Sequence, residues 1–577
     1  MRILFDSRQT HYKTPFGTLR TGECCVLQIR IPTEVGASGV RLMLEDSEHA
    51  VCAELPFSFA SRGEDGYELW RLEFTRQETG LHFYWFRIDK RDGGSFRLFR
   101  QGRDTNMEAG EKWQLSVIPA DFRVPDFAPG AVMYQIFPDR FARSGSSDLT
   151  GKLQPFWVHE SPDELPEYRP DAHGEVRNND FFGGNFAGIC EKLPYLQELG
   201  VGVLYLNPIF MAWSNHRYDT ADYRRPDPML GTEEDFRTLC DEAHARGMRV
   251  ILDGVFSHTG SNSVYFDAKH VFGHGAASDP NSPYRRWYRF HHYPDDYEAW
   301  WGIRTLPCVE ELDETYLHYI IEDEDSVIAH WLRLGADGFR LDVVDELPDE
   351  FVRRLRRRMR QIDPQSLLLG EVWEDASNKR AYGVSRRYFV DGELDSVMNY
   401  PWRNAIVAFL TDADDGTALG ESLMTLAENY PPEVLSCVMN HLGTHDTPRI
   451  LTVLGEPFRG TKDERAHRRM TPVQRKTALM RLRMAAFLQF TLPGMPCIYY
   501  GDEAGMEGFE DPFCRVCYPW GHEDEELQAY YRMMTALRGS SEALRRSGLR
   551  VLAAGNGRIA FSRSIGGERV VVCVNHS

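Results

Sequence analysis

Gly335-Ala-Asp-Gly-Phe-Arg-Leu-Asp-Val-Val-Asp-Glu346 is the stretch whose reading decides the fold. Its glycines open a short run in which Phe339, Leu341 and Val343 alternate with Arg340 and Asp342. Such alternation reads as a buried strand carrying a cation and a carboxylate to its C-terminal end. An ionised Asp is costly to bury unless it is paired, and Arg340, two residues earlier, points to the same face of the strand. Taken alone, this pattern also fits a structural ion pair. Two further runs change the reading: Leu367-Leu-Leu-Gly-Glu-Val-Trp373 delivers Glu371, and Val438-Met-Asn-His-Leu-Gly-Thr-His-Asp446 delivers His445 and Asp446. Three strand-like runs, each with an acid at its far end, form a constellation.

Outward from these runs the chain repeats strand, loop, helix. Eight strand-like runs are found: Val132–Phe137, Val203–Leu206, Arg249–Asp253, Gly338–Val343, Leu367–Val372, Leu394–Met398, Leu435–Met439 and Cys497–Tyr500. Helical runs fall between them, among them Glu191–Leu199, Glu233–Arg246, Val327–Leu334, Glu350–Ile362 and Lys476–Phe490. Eight such units predict an α/β fold, a (β/α)₈ TIM barrel over residues 126–540, with its chemistry at the C-terminal strand ends. The third unit carries an excursion of about 258–312, rich in aromatics (Tyr284, Trp287, Tyr288, Trp300, Trp301), that reads as a subdomain walling the cleft. Before the barrel, residues 1–125 alternate in short aromatic-rich runs and predict an N-terminal antiparallel β-sandwich. After it, residues 541–577 hold three strand-like runs, too few for a closed sandwich, so this C-terminal β-module reads as partial.

A chain of 577 residues is too long for one domain. Its net charge of −20 argues against nucleic acid or an anionic membrane as partner, since both select a basic face. The basic run Arg353–Arg360 follows Pro348-Asp-Glu350 at a helix start and reads as a solvated helix face. No run approaches a membrane span, and the first 30 positions lack the apolar core of a signal peptide, so a cytoplasmic location is expected. Eleven cysteines are an odd number, and most lie in apolar runs, which speaks against a disulfide framework. Cys514-Arg-Val-Cys517 has no second pair, and His270, His274, His291 and His292 have no acids at ligand spacing, so no metal site is assigned.

Carboxylates at the mouth of a barrel, beside aromatics, suit cleavage of a glycosidic bond: one attacks the anomeric carbon and another protonates the leaving oxygen. Asp342, beside Arg340, is expected to stay ionised and to act as the nucleophile. Glu371, between apolar neighbours that raise a carboxyl pKa, suits the acid/base. Asp446 and His445 suit binding of sugar hydroxyls.

Four short stretches, in order, resemble the motifs of the α-amylase family, glycoside hydrolase family 13: Asp253-Gly-Val-Phe-Ser-His258, Gly338–Glu346, Gly370-Glu-Val-Trp373 and Asn440–Asp446. The resemblance implies a catalytic triad of Asp342, Glu371 and Asp446, with Asp253, His258, Arg340, His445 and Arg449 binding substrate. Ser214-Asn-His-Arg-Tyr-Asp-Thr220, Asn179–Gly188 and Gly501-Asp-Glu-Ala-Gly-Met506 are similar to signatures of the cyclomaltodextrinase, neopullulanase and maltogenic amylase group. That likeness implies that Tyr218 stacks on the reactive sugar and that Glu346 lies near the acceptor. It also implies a homodimer acting by retaining double displacement on cyclomaltodextrins, pullulan, maltooligosaccharides and related α-glucans. No cofactor is assigned. Calcium, held by many family members, is not supported, because position 257 is Ser where the family usually has Asn, and Arg140–Asp148 lacks the Asn/Asp pattern of the other calcium loop. Leu306-Pro-Cys-Val-Glu310 replaces a further group signature and leaves the substrate preference open. The alternatives are a glucanotransferase using the same intermediate, an open-cleft α-amylase on starch, and a non-catalytic carbohydrate-binding homologue.

Overall fold

The computed structural model describes residues 2–576. The chain divides into two compact units: one gathers the chain up to Arg123 with Glu374–Asp395 and Gly420–Leu435, and the other holds Val124–Trp373, Ser396–Leu419 and the chain from Ser436 onward.

The second unit is built on eight parallel strands: β1 (Met133–Ile136), β2 (Val203–Leu206), β3 (Arg249–Gly254), β4 (Gly338–Leu341), β5 (Leu367–Gly370), β6 (Ser396–Val397), β7 (Met439–His441) and β8 (Met495–Tyr499). Their order is β6-β5-β4-β3-β2-β1-β8-β7, and a parallel bridge between Met398 and Met439 links the two ends into a nearly closed barrel. Because helices cover it and side chains fill it, residues on both faces of each strand are buried. This is why β2 and β5 read Val-Leu-Tyr-Leu and Leu-Leu-Leu-Gly without alternation.

Local chemistry starts and stops the covering helices. Val327–Leu334 is capped by the Ser326 side chain and ends at Gly335, whose φ of 118° returns the chain toward β4. Three residues on, a Cβ at Gly338 would lie 2.1 Å from Leu367 O, so only glycine lets β4 run this close to β5. Between them Asp337 accepts from His244 Nε2, Arg249 Nη1 and Val250 N, which fixes the entry of the strand. The helix Pro472–Thr491 begins four residues before the sequence pattern placed it, because Thr471 and Gln474 form a capping box around a first-turn proline. The arginine-rich helix Asp349–Ile362 buries Phe351, Val352, Leu355 and Met359 and turns its arginines outward, as expected of a solvated face.

The excursion after β3 is only partly a cleft wall. Trp287 and Tyr288 are buried, Trp287 packing on Tyr265 and Tyr316 and Tyr288 on Phe266, so these aromatics form the excursion's own core. Three antiparallel strands, Arg550–Gly555, Arg558–Ile565 and Glu568–Asn575, lie near the end of the chain.

In the first unit, one sheet orders Lys13–Thr14, Cys24–Pro32, Tyr67–Thr75 and Ser58–Arg62, all antiparallel. A second, seven-stranded sheet is centred on Gly80–Lys90. Alternate residues of both, such as Leu27 and Ile29 from one and Phe86 and Ile88 from the other, share one core, which makes a sandwich. It departs from the antiparallel expectation at one pair, because Leu19–Arg20 joins Trp113–Ile118 in parallel.

Candidate active site

The barrel brings the acids of the sequence motifs together around one guanidinium. Arg340, in β4, donates from Nη1 to Asp253 Oδ1 at 2.7 Å and to Asp342 Oδ1 at 2.8 Å. Its Nη2 lies 2.7 Å from Glu371 Oε2. Asp253 belongs to β3, while Asp342 and Glu371 directly follow β4 and β5, so three adjacent strand ends converge on one cation. One positive charge is thus shared among three buried carboxylates. Burial pushes the Asp342 and Asp253 carboxyls up, with Arg340 opposing in both cases. Arg340 is therefore shared among three acids rather than reserved for Asp342. Glu371 is also more polar in its surroundings than the apolar run suggested, because Val343 N donates to Oε2 at 2.8 Å and Trp373 Nε1 to Oε1 at 3.1 Å. That Val343 amide comes from a left-handed backbone, φ 37°, which a β-branched residue adopts only under strain.

A second network meets the first at Asp253. The Gln135 amide donates to His445 Nδ1 at 2.9 Å, so the imidazole hydrogen sits on Nε2, 2.5 Å from Tyr218 OH and 3.2 Å from Asp446 Oδ2. Tyr218 OH then donates to Asp253 Oδ2 at 2.8 Å, while its ring lies parallel to that of His445. Burial, with Arg515 and Arg340 adding to it, holds His445 well below the usual imidazole range, so the ring is neutral. His258 is pushed down to about 4 by burial and contacts Tyr218 O at 3.1 Å through Nε2, which holds the tyrosine's backbone.

Asp446 lies at the open side of this network. Burial in the cleft, then repulsion from Glu371, pushes its carboxyl up to about 7. Its side chain is 29% exposed, so water tempers that push and the midpoint falls between the ordinary carboxylate value and 7. A raised carboxyl pKa stabilises the fold at pH below its unfolded value and loses that contribution as pH rises through the folded value. We expect the melting temperature to fall from pH 5 to pH 8 and the slope to flatten in Asp446→Asn. Calorimetric scans of both proteins check this, and an unchanged slope would contradict it.

The α-amylase catalytic-domain model matches residues 135–547, which contain every one of these groups. The chain belongs to the α-amylase family. It is 34% identical to an amylopullulanase of Thermoanaerobacter thermohydrosulfuricus over 97% of this chain and 40% of that protein. It is 33% identical to a cyclomaltodextrinase of Geobacillus thermopakistaniensis over 79% of this chain and 70% of that one. A solved cyclomaltodextrinase structure superposes with a TM-score of 0.68 at 27% identity, covering 100% of this chain and 91% of its own. The chain spans less than half the length of the amylopullulanases it matches.

Within this α-amylase fold, several site residues gave no sequence signal of their own. Tyr205 OH donates to Asp253 Oδ2 at 2.7 Å, Asn207 Nδ2 to Tyr218 OH at 3.1 Å, and Arg515 Nε to His445 O at 2.8 Å. Gln135 and Tyr205 lie inside strands, where a lone polar residue is indistinguishable from a satisfied core group. Arg449, read as substrate-binding, needs correction. It is fully buried, bonded to Tyr500 O and to Asp502 Oδ1 and stacked beside the Tyr499 ring, so it braces the end of β8. Glu346 accepts from Trp301 Nε1 at 3.1 Å.

The two loops weighed for calcium do not fit it. Ser257 Oγ pairs with His258 Nδ1, Ser144 Oγ donates to Glu191, and Ser147 Oγ to Met229 O. Beside Met229, the buried Lys152 ammonium donates to Asp227 Oδ2 and Ala212 O, so the cation here is the chain's own. Among the described residues, one His and carboxylate group lies within ligand reach, Glu314, His318 and Glu322, and it does not include the four histidines of the excursion. Glu322 is paired with Arg354, and His318 with Asp323. A saturating ion at 100 times its Kd adds about 2.7 kcal/mol to stability. We expect no such loss on EDTA treatment, so the melting curves with and without chelator should coincide; a clear drop would contradict this.

Proposed function

We propose that this chain is a retaining α-glucan hydrolase cleaving α-1,4 and some α-1,6 glucosidic bonds of cyclomaltodextrins, pullulan and maltooligosaccharides. The observation that carries the reading is the single Arg340 guanidinium joining Asp253, Asp342 and Glu371 at adjacent strand ends. Asp342 attacks the anomeric carbon, and the bond to the leaving oxygen breaks as Glu371 gives that oxygen a proton. A glycosyl ester on Asp342 results. Glu371, now ionised, takes a proton from water, which attacks the same carbon and frees Asp342. Tyr218 offers its ring to the reacting sugar, while Asp446 and His445 bind its hydroxyls. Asp253 and His258 hold Tyr218 in place through its hydroxyl and carbonyl. Glu346 serves the acceptor side.

The names of relatives support the substrate class: cyclomaltodextrinases, a neopullulanase and amylopullulanases align over most of this chain. The non-catalytic reading loses ground because all three triad acids are present and share one cleft network. We further propose three parts, a 1–125 sandwich, a 126–540 barrel and a 541–577 module, and a homodimer, which light scattering checks. Eleven free cysteines favour the reducing cytoplasm, and no helix among the described residues is long and apolar enough to cross a membrane. A time course of products from β-cyclodextrin, pullulan and soluble starch, with and without EDTA, tests the function. Fast cyclodextrin opening with slow starch cleavage supports the cyclomaltodextrinase-like reading. Rapid starch cleavage with intact cyclodextrin would replace it with an open-cleft α-amylase.

A further inference from the structure

A cavity of about 800 Å³ is lined by residues of the strand Thr220–Pro226, the helix Glu233–Ala245 and the helix Val327–Leu334, and none of the acid network lines it. Arg224 and Arg225 come from the strand, Arg237 from the first helix and Arg333 from the second. Four guanidiniums thus face three carboxylates, Asp222, Glu233 and Asp325, in a chain whose net charge is −20. Those carboxylates leave most of the cations unpaired. Arg224 takes Asp325 at 3.0 Å, but Arg225 has no carboxylate within 4.0 Å among the described residues. Arg237 reaches only the exposed Glu234 at 3.8 Å, and Arg333 only the exposed Glu324 at 4.0 Å. Burial pushes the Asp222 carboxyl up, and Glu233 lies 3.5 Å from His330 Nε2. A concavity lined mainly by one sign of charge focuses its field and draws in the opposite charge. The fork of a guanidinium matches the oxygens of a phosphate, so a phosphate group is the anion these side chains fit.

The rest of the lining selects what carries the phosphate. Tyr265 meets Tyr284 and Tyr319 edge to face, at 89° and 70°, and Arg224 covers one face of Tyr319. The cavity therefore lacks the parallel flat faces between which a nucleobase stacks. It offers polar groups instead: the Asp222 and Glu233 carboxylates and the Tyr284 hydroxyl, which makes no hydrogen bond among the described residues. Such groups suit the hydroxyls of a sugar. We propose that this cavity binds a sugar phosphate monoester, with Arg225, Arg237 and Arg333 on the phosphate and Tyr284, Asp222 and Glu233 on the ring hydroxyls. Binding here does not depend on the chemistry at the barrel mouth.

The test is isothermal titration calorimetry at low ionic strength with glucose 6-phosphate, inorganic phosphate and glucose, on wild type, Tyr284→Phe and the double variant Arg225→Ala/Arg333→Ala. Circular dichroism melts check that each variant folds. We expect wild type to bind glucose 6-phosphate about tenfold or more tighter than inorganic phosphate, and the double variant to lose about tenfold or more of that affinity. Tyr284→Phe should weaken glucose 6-phosphate about threefold and leave inorganic phosphate unchanged. No binding of glucose 6-phosphate by wild type, an unchanged Kd in the double variant, or equal Kd values for the two phosphates overturns the proposal. Should the double variant not melt cooperatively, the exposed Arg225→Gln takes its place, where a Kd equal to wild type again overturns it. Titration with maltotriose bearing a 6-phosphate separates the two sources of this chemistry. Tighter binding than glucose 6-phosphate, lost in the double variant, assigns the site to phosphate esters on a glucan; weaker binding assigns it to the free sugar phosphate.

Discussion

Replacing Asp342 by Asn is expected to lower turnover of β-cyclodextrin by about 10⁴-fold or more while leaving the melt cooperative. The amide keeps the shape of the side chain and can still face Arg340 Nη1, but it cannot form a glycosyl ester. Its neighbours explain why the fold survives: Phe339 and Leu341 carry the packing of β4, and the side chain of Asp342 touches the cleft. The change also removes one of three carboxylates competing for Arg340, so the variant is expected to be as stable as wild type or more so at pH 7. Turnover within tenfold of wild type would remove Asp342 from the nucleophile's role.

The second large effect lies at Arg340. Arg340→Met is expected to abolish activity and to destabilise the fold by about 3–5 kcal/mol, because removing one partner of a buried ion pair leaves the other charges unpaired. Here three acids lose their common partner. Asp253 and Asp342, already pushed up by burial against the opposing pull of Arg340, would rise further, so the folded variant binds more protons than the unfolded chain and its stability falls as pH rises. The deficit relative to wild type should be smallest near pH 4 and largest above pH 7. Urea unfolding of both proteins at several pH values measures it. A deficit independent of pH would mean that the guanidinium supports the barrel by packing alone.

The barrel and its acids were legible because their signals are contiguous. Gly338–Asp342 and Leu367–Glu371 each write a buried strand and its terminal carboxylate into a few adjacent residues, and parallel strands admit few other arrangements. What the sequence withheld depends on contacts across the barrel. Nothing in the order of residues shows that Arg340 divides itself among three acids, or that Gln135, two strands away from Asp253, sets the tautomer of His445. Composition marked the excursion as aromatic, but only packing separates Trp287, in its core, from Trp301 on the surface. Arg449 followed the fourth motif and so was read with it; its burial against Tyr500 shows that adjacency in a motif does not place a side chain in the cleft. Some of what was missed was readable: Thr471-Pro-Val-Gln474 spells a helix start that the apolar period alone placed too late.

The central claim is a double displacement through Asp342, with Glu371 as acid and then base. Proton NMR of the first sugar released from a linear maltooligosaccharide, recorded before mutarotation, tests it most directly. The arrangement predicts the α-anomer, followed by slow appearance of the β form. Initial release of the β-anomer would contradict it, since a single inverting attack by water would then have taken the place of the Asp342 ester.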